Sequence, residues 1–262
     1  MPGNLDALTL VLLALFGLLG GIGITAVGPG GVLPTIGMFL LTGLSPSTVA
    51  GTAIATHIAT GALGTAAFAR SGQLKDGPTL RTALLLAATA LAGTPLGVLL
   101  NTRVSGREFG LLLACAVTVT GVLVWVRDRR QRHARSDALS LSGEHISTTL
   151  AVVVGLTVSV AAGLFGLGGP MLSVPLLIVL GLPVLSALAA AQAQSVVIAA
   201  VGTIGFALHG SVDWALAIVV GLPELAGVLI GWRIAHAVPE RRLKFILVGA
   251  LLALAPYLAL HG

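Results

Sequence analysis

Apolar residues run through this chain in long blocks rather than in alternation, with only short polar joints between them. Taken in order, the blocks cover residues 5–41, 48–69, 80–100, 109–126, 148–180, 186–208, 214–232 and 243–260. Most have the length a helix needs to cross a hydrocarbon core of about 30 Å, so the pattern predicts membrane-spanning helices. Two blocks are too long for that. At about 1.5 Å per residue, 5–41 would measure more than roughly 50 Å as one helix. It also carries Gly28-Pro29-Gly30-Gly31 in its interior, a combination that breaks helices. The block therefore predicts two helical pieces meeting at an unwound tip, the second piece too short to cross. Residues 148–180, around Gly166-Leu167-Gly168-Gly169, predict the same.

The chain repeats itself. An offset of 138 places Gly28 on Gly166, Gly43-Leu44 on Gly181-Leu182, Gly64-Thr65 on Gly202-Thr203, Phe68 on Phe206 and Gly72 on Gly210. Further on the offset becomes 134, where Ala92-Gly93 meets Ala226-Gly227 and Gly97 meets Gly231. Register and element order are kept across both halves, which a chance match of glycines would not do. The expected fold is an all-α membrane protein with transmembrane repeats at 1–126 and 148–262, joined by a linker at 127–147. Each repeat is a broken, re-entrant hairpin followed by three transmembrane helices.

Charge orients the repeats. The chain has 262 residues, 9% charged and 56% hydrophobic, with a net charge of +5. Its basic residues sit between apolar blocks and form no basic face with stacking aromatics, so nucleic acid is not an expected partner. Three crossings per half, an odd number, make the repeats inverted. Placing the linker in the cytoplasm then puts inside Arg127, Arg129, Arg130, Arg132 and Arg135, with Arg70, Lys75 and Arg81 and with Arg233, Arg241, Arg242 and Lys244. Only Arg103 and Arg107 fall outside, as the positive-inside rule favours. Both termini are then expected outside, in a multi-pass protein of the plasma (inner) membrane. Trp125, Trp214 and Trp232 fall at block ends, where an interfacial aromatic belt would sit. The N-terminal stretch lacks the positive region of a signal peptide and reads as mature structure. The linker reads as a solvated, mobile loop.

Paired broken helices in inverted repeats are where secondary transporters place a solute site near the midplane. The candidate floor is Gly28, Gly30 and Gly31 together with Gly166, Gly168 and Gly169. Each short helix that follows presents N-terminal N–H groups and the positive end of its dipole, which favour an anion. Pro170 suits the first turn of one and Pro34 the first turn of the other. The competing reading is that these glycines only allow tight helix packing. Thr52, Thr56 and Thr60 form a polar stripe at i, i+4 and i+8, with His57 beside it. The equivalent helix carries Gln192, Gln194 and Ser195, and His57 falls on Ser195 at the offset of 138. Such hydroxyls also commonly bond their own backbone; at least one of the two glutamines is expected to face a cavity. Two ionisable residues lie near block centres, His57 and Glu224, the latter following Pro223. They are the proton-coupling candidates, the alternative being a plain interhelical hydrogen bond. His209 and His236 read as interface residues at helix ends. The lone Cys115, inside an apolar block, forms neither a disulfide pair nor a metal cluster.

The motifs carry a resemblance: Gly28-Pro29-Gly30-Gly31 with Pro34, Gly43-Leu44-Ser45-Pro46 and Gly51-Thr52, then Gly166-Leu167-Gly168-Gly169 with Pro175 and Gly181-Leu182, and Leu-Ala-Gly-x-x-x-Gly at 91–97 and 225–231. Over nearly its whole length the chain resembles the sulfite exporter TauE/SafE family of bacterial membrane transporters. Pro29 and Leu167 stand where that family often has a third glycine. The resemblance implies transport, usually export, of sulfite, thiosulfate, organosulfonates or related sulfur compounds.

The expected function is thus a secondary transporter of a small sulfur-containing anion working by alternating access, with protons as candidate coupling ion, the bilayer as surroundings, and no cofactor or metal. A passive anion channel is the main rival, and a non-transporting membrane scaffold a lesser one. An intramembrane enzyme is not expected, since the chain has no nucleophile elbow, no His-Glu-x-x-His pair and no carboxylate dyad.

Overall fold

The computed structural model describes residues 5–26, 28–136, 146–237 and 249. The expected last helix at 243–260, with Arg241, Arg242 and Lys244, lies outside them. The described elements are all helical. The order is α1 (Ala7–Ala26), a 3-10 turn (Pro29–Val32), α2 (Leu33–Thr42), α3 (Pro46–Arg70), a second 3-10 turn (Gln73–Lys75), α4 (Gly77–Asn101), α5 (Gly106–Ser136), α6 (Thr148–Phe165), α7 (Pro170–Val179), α8 (Val184–Leu208) and α9 (Trp214–Ala237). Among the described residues, α1, α4, α5, α6, α8 and α9 contain stretches long and apolar enough to cross a membrane. α3 is as long as α4 but carries His57 and its threonines, and most of the half that holds them is buried against other helices.

Helix boundaries follow local chemistry. Ser45, Asp76 and Ser147 accept at their side chains from the N–H three residues on, capping α3, α4 and α6. At the start of α5, Ser105 and Glu108 cap each other reciprocally, Ser105 N–H to Glu108 Oε2 at 2.8 Å and Glu108 N–H to Ser105 Oγ at 3.3 Å. The breaks come where expected. Gly28 has φ +106° and Gly166 φ +71°, in the region L side chains avoid. Pro29 then opens a 3-10 turn before α2, whereas α7 begins directly at Pro170. α2 folds back along α1, Pro34 lying against Gly20 and Gly37 against the Phe16 ring. Ten residues long, α2 and α7 reach about 15 Å, half the core. One expectation is corrected: the linker does not begin as a loop, because α5 continues unbroken through residues 127–136. Its alternating charges suit an exposed helix as well as a solvated loop.

The halves interlock. α1 runs parallel to α9, with Gly17 against the Val220 carbonyl, Gly21 against that of Glu224, and Thr25 Oγ1 donating to Val228 O at 3.2 Å. α4 runs parallel to α6 in the same way, with Gly97 against the Val160 carbonyl and Asn101 Nδ2 donating to Leu164 O at 2.7 Å. These pairs are repeat mates down to the atom. Gly93 meets the carbonyl of Leu156 as Gly227 meets that of Leu18, and Gly97 meets Val160 as Gly231 meets Ile22. A Cβ at Gly97 would stand 2.1 Å from that oxygen, so the Gly-x-x-x-Gly pairs are what let these backbones touch. α3 and α8, themselves mates, cross antiparallel: Gly51 meets Phe206, Ile54 meets Gly202, Gly61 meets Ser195 and Gly64 meets Gln192.

Candidate functional site

The two tips meet at the α3–α8 crossing. Gly28 packs on Val174 of α7, and Thr35 of α2 reaches the Gly166 carbonyl at 3.5 Å, so each tip leans on the other half's short helix. His57 stands between them. Its ring Nε2 is 3.2 Å from the Gly31 carbonyl, and its Cδ2 lies 3.6 Å from where a Cβ on Gly168 would be. A carbonyl only accepts, so Nε2 carries a hydrogen and the tautomer is fixed from one side. On the other side Nδ1 lies 3.0 Å from Glu224 Oε1, both side chains almost wholly buried. The two atoms are at ion-pair distance without the alignment of a straight hydrogen bond, and Glu224 Oε2 has no partner among the described residues. Two ionisable groups this close and this buried are tolerated as a neutral pair.

The predicted glycines divide by what faces them. Gly28 and Gly166 need positive φ, and a Cβ on Gly166 would also strike the Ala50 carbonyl at 2.2 Å. A Cβ on Gly30 would stand 2.5 Å from the backbone of Gly20 and Gly23 of α1. For these three the packing explanation suffices. Gly31 and Gly168 differ, because what a Cβ there would approach is side chain: Ile24 and His57 at Gly31, Ser195 Oγ and His57 at Gly168. Gly169 lies along the α8 backbone, and a Cβ there would stand 3.1 Å from Ala191 O.

The polar side chains divide as well. Thr52 Oγ1 accepts from Asp213 N–H at 3.0 Å, closing the α8–α9 turn onto α3. Thr56 and Thr60 donate to their own helix, to Ala53 O and Thr56 O. Gln194 is fully engaged, accepting from Ser173 Oγ and donating to Gly155 O and Ser159 Oγ at 3.2 Å each, so it ties α8 to α6 and α7. Gln192 is buried with neither amide atom partnered among the described residues. Ser195 Oγ makes no hydrogen bond among the described residues and lies one turn from Gln192 beside Gly168. The structure therefore gathers His57, Glu224, Gly31, Gly168 and Ser195 in one place, with Gln192 next along, and leaves Thr52 and Gln194 as ties between helices. Sequence reasoning missed Asp213, which caps α9 through Leu216 N–H and bonds Thr52; its place just before a helix was the available signal.

A family model described as Sulfite exporter TauE/SafE matches residues 13–258. Among curated proteins, the chain is similar to the "Probable membrane transporter protein YdhB" of Bacillus subtilis (strain 168), 25% identical over 238 residues that take in 90% of this chain and 93% of that relative. No solved structure matches it.

Proposed function

The chain belongs to the sulfite exporter TauE/SafE family and is a multi-pass membrane transporter; on that premise we propose that it exports a small sulfur-containing anion, such as sulfite, thiosulfate or an organosulfonate, by proton-coupled alternating access. The observation that carries this reading is His57 lying between the two glycine tips with Glu224 behind it. An anion seated near Gly31 and Gly168 has two short-helix N-termini for its charge. It also makes a second proton on the His57–Glu224 pair favourable, since the extra positive charge then has a counter-charge. Anion and proton would load together and leave together. Ser195 and Gln192 supply neutral hydrogen bonds around that seat, while Gly28, Gly30, Gly166, Gly169, Thr52, Thr56 and Gln194 hold its walls.

The proposed arrangement is a pair of inverted repeats in the plasma membrane, with the Arg-rich linker inside and both termini outside. Its support is the direction of the helix pairs. A two-fold axis that exchanges two antiparallel helices, as α3 and α8 are, runs across those helices rather than along them. The parallel pairs α1–α9 and α4–α6 agree with the loop charges as well.

A thermal-shift series on purified protein tests the anion site, using sulfite, thiosulfate, sulfate, sulfoacetate, taurine and simple carboxylates. A ligand that binds the folded state at about 100 times its Kd stabilises it by about 2.7 kcal/mol. The expected result is stabilisation by one or more sulfur oxyanions. Stabilisation by cationic or apolar compounds alone would contradict it.

A further inference from the structure

The repeat supplies an internal control for Gln192. At the offset of 138 the contact Gly64–Gln192 is the mate of Gly202–Ile54. In both, a side chain from one crossing helix fills the notch a glycine leaves in the other: Ile54 Cδ1 lies 2.3 Å, and Gln192 Cδ and Oε1 2.8 Å, from where the glycine's Cβ would be. The fold thus fills this notch with an aliphatic side chain on one side and an amide on the other. Gln192 is fully buried and has no partner for Oε1 or Nε2 among the described residues. Burying an unpaired amide is costly and packing does not require it, so a partner beyond these residues is called for.

The surroundings of Gln192 are one-sided. Towards the centre it is followed by Ser195 and His57. Away from the centre, α8 runs back through the buried apolar residues Leu188, Ala189, Ala190 and Ala191 to Ser186, which lines a cavity of about 500 Å³ with Asp76, Thr79, Arg81, Ile146 and Leu182 among others, on the end that bears Arg70 and Lys75. The opposite end of the crossing is shut, with the Ser211 carbonyl pressed on Gly51 and the Asp213 N–H bonded to Thr52. The mates of Gly51 and Thr52 are Ala189 and Ala190, which offer neither the glycine gap nor the hydroxyl.

We propose that Gln192 reads the solute beside the His57 site, and that it selects an oxyanion carrying its own hydrogen-bond donor. Its Nε2 hydrogens go to an oxyanion oxygen, and Oε1 accepts from an O–H or N–H of the same solute, so that only a solute with both roles satisfies the whole amide. This rests on the transport reading above and narrows its substrate class.

The test uses the full chain in proteoliposomes with isethionate and ethanesulfonate, which have the same charge and differ by one hydroxyl. Wild-type flux is expected to favour isethionate by at least about tenfold, as sites built to bond a hydroxyl do. Gln192→Ile, which installs the mate's residue, is expected to bring the ratio within about twofold with an unchanged or higher melting temperature. Gln192→Met carries the same test if the isoleucine variant does not fold. Discrimination that survives in these variants, or a folded variant that melts well below wild type, overturns the proposal. Wild-type sulfite flux with no preference between the two probes overturns it while leaving transport standing. Absence of any anion flux overturns the transport reading itself.

Discussion

At the first tip, His57 stands against Gly31 with Glu224 behind it; the repeat mate of His57 is Ser195 in the second half, at the offset of 138, and that of Glu224 is Ala90 in the first, at the offset of 134. Around these positions both halves have a hairpin broken at the equivalent glycine, glycine-to-carbonyl contacts between parallel helices and one helix of the antiparallel crossing. The side chains differ at most positions, and three of those differences bear on the site. His57 is matched by Ser195, Ile54 by Gln192 and Thr52 by Ala190. The two halves share a scaffold, and the chemistry proposed above uses positions where their side chains have diverged.

Exchanging mates is the sharpest way to break this comparison. His57→Ala removes one partner of a buried pair and should cost about 3 kcal/mol where Glu224 keeps its charge. Ser195→Ala, the equivalent change, should cost less than about 1 kcal/mol. Thermal unfolding in detergent compares them, and equal losses would erase the distinction between the halves. Next in size is the contrast between two glutamines two residues apart. Gln194→Leu breaks bonds to Ser173, Gly155 and Ser159 and should destabilise by about 2 kcal/mol, while Gln192→Leu should be neutral or stabilising. A reversed order would assign the structural role to the wrong residue. Gly97→Ala and Gly231→Ala probe the shared frame, each overpacking a helix pair at a cost of about 1–3 kcal/mol. The loss should be larger at Gly97, whose Cβ would meet a carbonyl at 2.1 Å against 2.6 Å at Gly231. Smallest is Thr52→Val, which deprives the Asp213 N–H of its acceptor and should cost about 1 kcal/mol. Faster hydrogen exchange at Asp213 would register the loosened closure, and unchanged exchange would show that the hydroxyl does not hold it.

Most of the frame was legible in the sequence because it rests on local rules. Gly28 and Gly166 break long apolar blocks, Pro170 starts a short helix, and the repeat offsets locate every mate. The extension of α5 was not legible, since alternating Arg and Asp suits a solvated loop and an exposed helix equally. Which polar residues meet around His57 was only partly legible. His57 and Glu224 stand out as ionisable residues within apolar blocks, yet nothing local to either shows that residues 167 positions apart come within 3.0 Å. Periodicity likewise puts Gln192 and Gln194 on different faces of α8 without revealing that α6 and α7 present hydrogen-bond partners to one and α3 a bare glycine to the other. Those distinctions depend on what the neighbouring helix brings, which only packing decides.

The central claim is that the His57–Glu224 pair couples a proton to an anion held at the glycine tips. Its most direct measurement is sulfite flux into vesicles under an imposed pH gradient, comparing wild type with Glu224→Gln. The account predicts that wild type concentrates sulfite against its gradient, while Glu224→Gln still binds it by thermal shift but only lets it equilibrate. Accumulation by Glu224→Gln equal to wild type, or a wild type that only equilibrates, would contradict it.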